Sequence, residues 1–177
     1  MYKKILKFEW NELKTEAELI EYEKKFYEAC TSKGTDRWAL DNLLVIDGCR
    51  LKPFVPYDKL ISIGLKINDE LVSGVRVNTD VNNFQIYKAG FKIDINENVC
   101  EGINFFTLAD DFHPLEFFNI IEKFMNDCMS KIKYYGYKHI YASCIDKIKI
   151  IYIRAGFKIM DSKIINGELA HLIRYDF

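Results

Sequence analysis

The chain is poor in the residues that staple secreted domains or hold metals. Its 177 residues include five cysteines, an odd number, at Cys30, Cys49, Cys100, Cys128 and Cys144. None forms a C-x-x-C pair, so they read as reduced core residues rather than a disulfide framework. The three histidines, His113, His139 and His171, are far apart in sequence and lack the H-x-x-x-H or H-x-E spacing that sets two ligands on one helix face, so no metal is expected. An excess of charge of one sign is also missing. Twenty-five basic against 26 acidic side chains leave a net charge of -1, which supplies no global field for nucleic acid or an anionic membrane. Lysine outnumbers arginine four to one, a bias that AT-rich coding sequence produces without functional pressure. The run Lys131, Lys133, Lys138, Lys147 and Lys149, with Tyr134, Tyr135 and Tyr137 among it, is broken by Asp146 and reads as a solvated face. No apolar run approaches the roughly 20 residues needed to span a bilayer, and Met1–Lys7 lacks the apolar stretch of a signal peptide. A cytoplasmic protein with neither a nucleic-acid nor a membrane partner is the expectation.

What is present suits a folded core. Apolar residues make up 49% of the chain and aromatic ones 15%, and a length near that of one domain, with no repeat, low-complexity tract or linker, gives a single domain over 1–177. An opening strand is expected over Tyr2–Trp10. Thr15 with Glu18 forms a capping box, and Leu19, Tyr22, Phe26 and Ala29 follow three or four apart, so a helix is expected over Thr15–Lys33, closed by Gly34. A shorter helix is expected over Asp36–Ile46, with Trp38, Leu43 and Leu44 inward, and then a long loop over Asp47–Asp58 interrupted by Pro53 and Pro56.

Strands follow. Leu60–Ile67 and Leu71–Asn78 flank the turn Asn68-Asp69-Glu70, and Phe84–Ile95 reads as either one bent strand or a small hairpin. Val99–Leu108 is a further strand, and Pro114 suits the first turn of the clearest helix, Leu115–Tyr135, whose apolar residues recur at Phe117, Phe118, Ile121, Phe124, Met125, Cys128, Met129 and Ile132. Gly136 stops it. A strand over Lys138–Ser143, a short helix over Asp146–Ala155 and a closing hairpin complete the order, with Phe157–Ile165 and Glu168–Tyr175 joined by Asn166-Gly167. The sum is an α/β (α+β) chain: a mixed, mostly antiparallel sheet of six to seven strands with helices on both faces.

This order, together with Gly136-Tyr137-Lys138-His139-Ile140 leading into Tyr152-Ile153-Arg154-Ala155-Gly156-Phe157, resembles the GCN5-related N-acetyltransferase superfamily, which often carries Y-x-x-x-G-F before its last two strands. By element order the resemblance covers nearly the whole chain; by motif it covers the last quarter. It implies an N-acyltransferase that takes acetyl-coenzyme A or another acyl-coenzyme A as co-substrate and a small-molecule or peptide amine as acceptor. In that family the fourth and fifth strands splay, and the gap receives the pantetheine arm through main-chain hydrogen bonds. Here those strands are Val99–Leu108 and Lys138–Ser143, so Phe106, Thr107 and Leu108 are implied to line the slot.

One segment departs from the family. Where its pattern has Q/R-x-x-G-x-G/A to hold the pyrophosphate, this chain has Ala109-Asp110-Asp111-Phe112-His113-Pro114, with no glycine, two carboxylates, and a proline that removes a free helix-start amide. Protonated His113 would recover part of the binding; otherwise it caps the helix, as Asp110 and Asp111 also do. By resemblance Tyr152 is the acid that protonates the leaving thiolate, with core packing as its other reading. Alternation through Val99, Ile103 and Phe105 puts Glu101 on an apolar face, where burial would raise its pKa toward neutrality and fit it as the base; at the start of a strand it can equally face solvent. Relatives that make acyl-homoserine lactones or N-acyl amino acids draw on an acyl carrier protein and depend less on the pyrophosphate loop, and Phe105, Phe106, Phe117 and Phe118 would then face an acyl tunnel or the core. A non-catalytic module that keeps the fold is the third reading. A homodimer would use the sheet edges or the final hairpin.

Overall fold

The computed structural model describes residues 7–32, 37–95, 98–108 and 112–177. The first strand, β1 (Phe8–Leu13), starts later than Tyr2–Trp10 and ends later, and the first six residues lie outside those described. Helix α1 (Glu16–Ser32) begins where the capping box requires. Thr15 Oγ accepts from Glu18 N at 3.3 Å, and the Glu18 carboxylate accepts from Thr15 N at 2.9 Å, so the first helical turn is closed from both sides. Its proposed stop, Gly34, lies outside the described residues.

The next stretch corrects the sequence expectation. Helix α2 covers only Arg37–Asn42, and Leu44–Ile46 is a strand (β2) paired antiparallel with β3 (Arg50–Lys52). Asp47 and Gly48 adopt φ of 51° and 65°, a left-handed pair that reverses the chain. Leu44, expected inward, is 41% exposed because strand parity rather than helical period sets its direction, while Leu43 is buried as expected. The anticipated long loop is thus largely this hairpin and a 3-10 turn at Tyr57–Lys59.

Strands β4 (Leu60–Ile67) and β5 (Glu70–Asn78) form the expected hairpin, with Asn68 and Asp69 at φ of 51° and 70° as its left-handed turn. Every residue of β5 from Leu71 to Asn78 is buried, the burial of a central strand. Gly74 is required there: a Cβ would fall 2.5 Å from the Tyr22 ring and 3.0 Å from that of Phe106.

No strand forms over Phe84–Ile95, neither bent nor hairpin. Two 3-10 turns, Val81–Asn83 and Gln85–Tyr87, replace it, and Phe84, Ile86 and Phe91 enter a core rather than alternate across a sheet.

The rest follows the expected order. Strand β6 (Val99–Thr107) precedes α3 (Pro114–Tyr134), β7 (His139–Ile145), α4 (Lys149–Arg154), β8 (Lys158–Ile165) and β9 (Glu168–Asp176). A 3-10 turn, Asp146–Ile148, takes the first part of the helix expected over Asp146–Ala155. Buried Phe117, Ile121, Phe124, Met125, Cys128 and Ile132 form the apolar stripe of α3, three or four residues apart. Asn166 (φ 51°) and Gly167 (φ 83°) make the turn of the last hairpin. The seven-stranded sheet has the order β1-β4-β5-β6-β7-β9-β8, with β1/β4, β7/β9 and β8/β9 antiparallel and β6/β7 parallel.

Two compact units divide the chain. The first is Met1–Arg76 with Asn104–Phe118, and the second is Val77–Ile103 with Asn119–Phe177. The core of the first gathers Leu19, Tyr22, Phe26, Leu51, Leu71 and Phe106. Within it Glu23 and Arg76 are fully buried and paired at 3.2 Å. Arg50 reaches the same carboxylate at 2.8 Å, Tyr57 donates to it at 2.8 Å, and Arg76 Nε donates to Ser62 Oγ at 3.1 Å. The core of the second gathers Phe84, Ile86, Phe91, Val99, Tyr141 and Leu172.

Among the described residues no helix is long and apolar enough to cross a membrane, and no group of three or more His, Cys, Asp or Glu side chains could hold a metal ion.

Candidate active site

Glu101 sits in β6 between Val99 and Ile103, and all three are buried. It is 1% exposed, so the solvent-facing reading of this residue is wrong: it points inward with its two apolar neighbours. The alternation that places it does not run on through Phe105. Asn104 takes φ of 52°, its carbonyl accepts from Tyr22 Oη at 2.6 Å, and beyond it Phe105 is only partly buried while Phe106 is buried. An extra residue in a strand turns every later side chain to the other face, and Asn tolerates the left-handed backbone that this needs.

Three donors meet the Glu101 carboxyl group. Ile86 N donates to Oε1 at 2.7 Å, while Gln85 N at 2.8 Å and Asn78 Nδ2 at 3.2 Å donate to Oε2. The first two explain why 84–95 is not a strand: the 3-10 turn spends its amides on this carboxylate instead of on a ladder. Burial pushes Glu101 up to about 7, against the downward pull of these hydrogen bonds and of Lys88. Burial, followed by the charge of Glu101, also raises the neighbouring Tyr87 hydroxyl and Cys100 thiol.

The pairing of β6 with β7 is short. The parallel ladder joins Val99 to His139, Cys100 to Ile140 and Glu101 to Tyr141, and there it ends. Beyond it β7 continues through Ala142–Ile145, paired with β9 as far as Ile145 opposite Ala170. Among the described residues Gly102 and Ile103, which follow Glu101 in β6, have no ladder partner in β7.

Tyr152 is buried in α4, its ring edge-on to Phe157 at 5.5 Å, and burial together with the nearby Cys144 raises its hydroxyl above the usual tyrosine range. Cys144 lies three residues beyond Tyr141 on the regular strand β7, hence on the opposite face. Glu101 shares the face of Tyr141, its ladder partner, so Glu101 and Tyr152 approach this part of the sheet from opposite sides.

The remaining candidates separate by strand parity. Phe106 packs in the first core, edge-on to Tyr22 at 5.1 Å, and its carbonyl accepts from Ser73 Oγ at 2.6 Å. Leu108 N donates to Val72 O at 2.8 Å. Phe106 and Leu108 therefore turn these main-chain groups toward β5, and Thr107 turns its own to the other edge. His113 is exposed, and its carbonyl accepts from Phe117 N at 3.0 Å, the position of a helix N-cap. Ala109, Asp110 and Asp111 lie outside the described residues.

Sequence reasoning passed over Asn78, Glu23, Arg50 and Arg76. The signals were there: Arg76 stands between Val75 and Val77 and Asn78 directly follows Val77 in the same strand, and Glu23 shares the helical face of Leu19, Tyr22 and Phe26.

No family model and no curated protein sequence matches the chain. Solved structures do. The AHL synthase LasI superposes with a TM-score of 0.71 at 16% identity, over 97% of this chain and 89% of that one. An N-acetyltransferase from Staphylococcus aureus Mu50 gives 0.60 at 16% identity, over 96% and 97%. FeeM, an N-acyl amino acid synthase from uncultured soil microbes, gives 0.59 at 8% identity, over 97% and 91%. The chain has the GCN5-related N-acetyltransferase fold.

Proposed function

We propose that the protein is an N-acyltransferase that moves an acyl group from a thioester to an amine by direct attack. The observation that carries this reading is the buried Glu101, pushed up to about 7, at the point where the β6/β7 ladder ends. A base with a pKa near the working pH best combines the ionised form with proton affinity. A thioester tail laid beside β6 past the end of this ladder would hydrogen-bond to its main chain. Thr107 would contribute through its outward edge, with Phe106 and Leu108 holding β6 on β5, and His113 would meet the donor's anionic end at the start of α3.

Glu101 would take the proton that the amine sheds as its nitrogen bonds to the thioester carbon. As the carbon–sulfur bond breaks, Tyr152 would return a proton to the thiolate, its raised pKa keeping the hydroxyl protonated until then. Base and acid on opposite faces can act on one carbonyl only past the end of the β6/β7 ladder.

Acetyl-coenzyme A or a longer acyl-coenzyme A is the donor in the first reading. The similarity to LasI and FeeM favours a second: a synthase of N-acyl amino acids or acyl-homoserine lactones fed by an acyl carrier protein. Titration calorimetry with acetyl-coenzyme A, a long-chain acyl-coenzyme A and an acylated carrier protein distinguishes them. Micromolar binding of a coenzyme thioester supports the first, and binding of the carrier alone supports the second. Binding of none leaves a non-catalytic module and overturns the proposal.

A further inference from the structure

The last residue of β5, Asn78, has its carboxamide fixed at both ends. Nδ2 donates to Glu101 Oε2 at 3.2 Å and to Asn83 O at 2.9 Å, and Oδ1 accepts from Asp80 N at 2.9 Å. Flipping the amide would set Oδ1 against a carbonyl and a carboxylate and Nδ2 against an N–H, so only the observed orientation satisfies all three partners. Asn78 is fully buried, so no water can take over these bonds.

The Glu101 oxygens are consequently unequal. Among the described residues Oε2 receives two donors, Asn78 Nδ2 and Gln85 N, which occupy both of its in-plane lone pairs, whereas Oε1 receives Ile86 N alone. A proton on Oε2 would collide with an N–H already there; on Oε1 it meets a vacant lone pair.

We propose that Asn78 is the positioning residue of Glu101, holding the carboxyl group so that it takes up and releases its proton through Oε1. The inference rests on the reading of Glu101 as the base and adds which oxygen works and what orients it. The other groups facing Glu101 are Tyr141 across the ladder, Cys100 beside it, and Tyr87 and Lys88 from the 3-10 segment. Among the three donors only Asn78 uses a side chain, so only this one can be removed by substitution without altering the backbone.

The test is a pH titration of the Glu101 side-chain carboxyl carbon by carbon-13 NMR, assigned by its loss in Glu101→Gln, in the wild type, Asn78→Leu and Asn78→Asp. Removing a hydrogen bond to the charged form should raise the midpoint by about one pH unit in Asn78→Leu. Asn78→Asp is nearly isosteric, which guards against a folding failure of the leucine variant; it should raise the midpoint further and split the titration into two coupled steps. The acid limb of the kcat profile should move up with the midpoint while KM for the donor stays within about twofold. A midpoint unmoved in both variants overturns the inference. If Glu101→Gln instead retains full turnover, the base reading fails, whereas the titration still reports whether Asn78 holds the carboxyl group.

Discussion

Both units bury a glutamate, and they treat it in opposite ways. In the first unit Glu23 meets two guanidinium groups, Arg50 and Arg76, and a tyrosine hydroxyl. In the second Glu101 meets two backbone amides and a carboxamide, all neutral. A buried carboxylate matched by cations is locked in place, because removing either partner strands a charge in a dry core. At Glu101 burial outweighs the downward pull of its neutral donors and of Lys88, which pushes the carboxyl group up to about 7 and leaves it able to exchange a proton. The first is a strut and the second a candidate reactive group, although burial alone would not separate them.

The largest effect should come from attacking the strut. Arg76→Met leaves the Glu23 carboxylate short of a partner and should cost about 3–5 kcal/mol of unfolding free energy, read by urea denaturation. A loss below about 1 kcal/mol would erase the contrast between the two sites.

Next is Glu101→Gln. It should lower turnover about 10²- to 10⁴-fold, as loss of a general base does, while costing less than about 1 kcal/mol of stability at pH 8, where ionised Glu101 is itself a burden. A variant that unfolds without losing specific activity would reverse the two roles.

Stability against pH sharpens the same point. The folded-state pKa of Glu101 lies near 7, above its ordinary 4.5, so the native state keeps a proton that the unfolded chain has already shed. This contribution is complete below about pH 4.5 and is lost as pH rises through 7, a fall of about 3 kcal/mol. Glu101→Gln should flatten that part of the curve in calorimetric melts.

The smallest effect is expected at Tyr152. Tyr152→Phe keeps the ring against Phe157 and removes only the hydroxyl, so turnover should drop about 10²-fold with donor affinity nearly unchanged. Unchanged kcat would make Tyr152 a packing residue and leave Glu101 without its acid.

Legibility in the sequence followed the range of the interactions. The capping box at Thr15 and Glu18, the stripe of α3 and the Asn166-Gly167 turn rest on neighbours within a few residues, and each forms as the local pattern requires. The hairpin at Asp47-Gly48 was written just as locally, but helical spacing through Leu43 and Leu44 masked it. Phe84–Ile95 misled for another reason: its alternating apolar residues met the pattern of a strand, yet its amides had a better partner in Glu101, some 15 residues away. Parity put Glu101 on the face of Val99 and Ile103 but left solvent open as its other reading, which only the folded chain removed; beyond Ile103, Asn104 breaks the alternation.

By itself, then, the amino-acid order determined the capped start of α1, the apolar stripe of α3 and the turns at Asn68-Asp69 and Asn166-Gly167, since these depend on backbone propensity and side-chain period, and it left Glu101 open between the core and solvent. Only the folded chain decided that the β6/β7 ladder stops at Glu101, that Asn78 and a distant turn converge on that carboxyl group, and that Arg50 and Arg76 rather than neutral donors meet Glu23. The reason is that hydrogen bonding and desolvation depend on which groups become neighbours in three dimensions, and no local pattern encodes that.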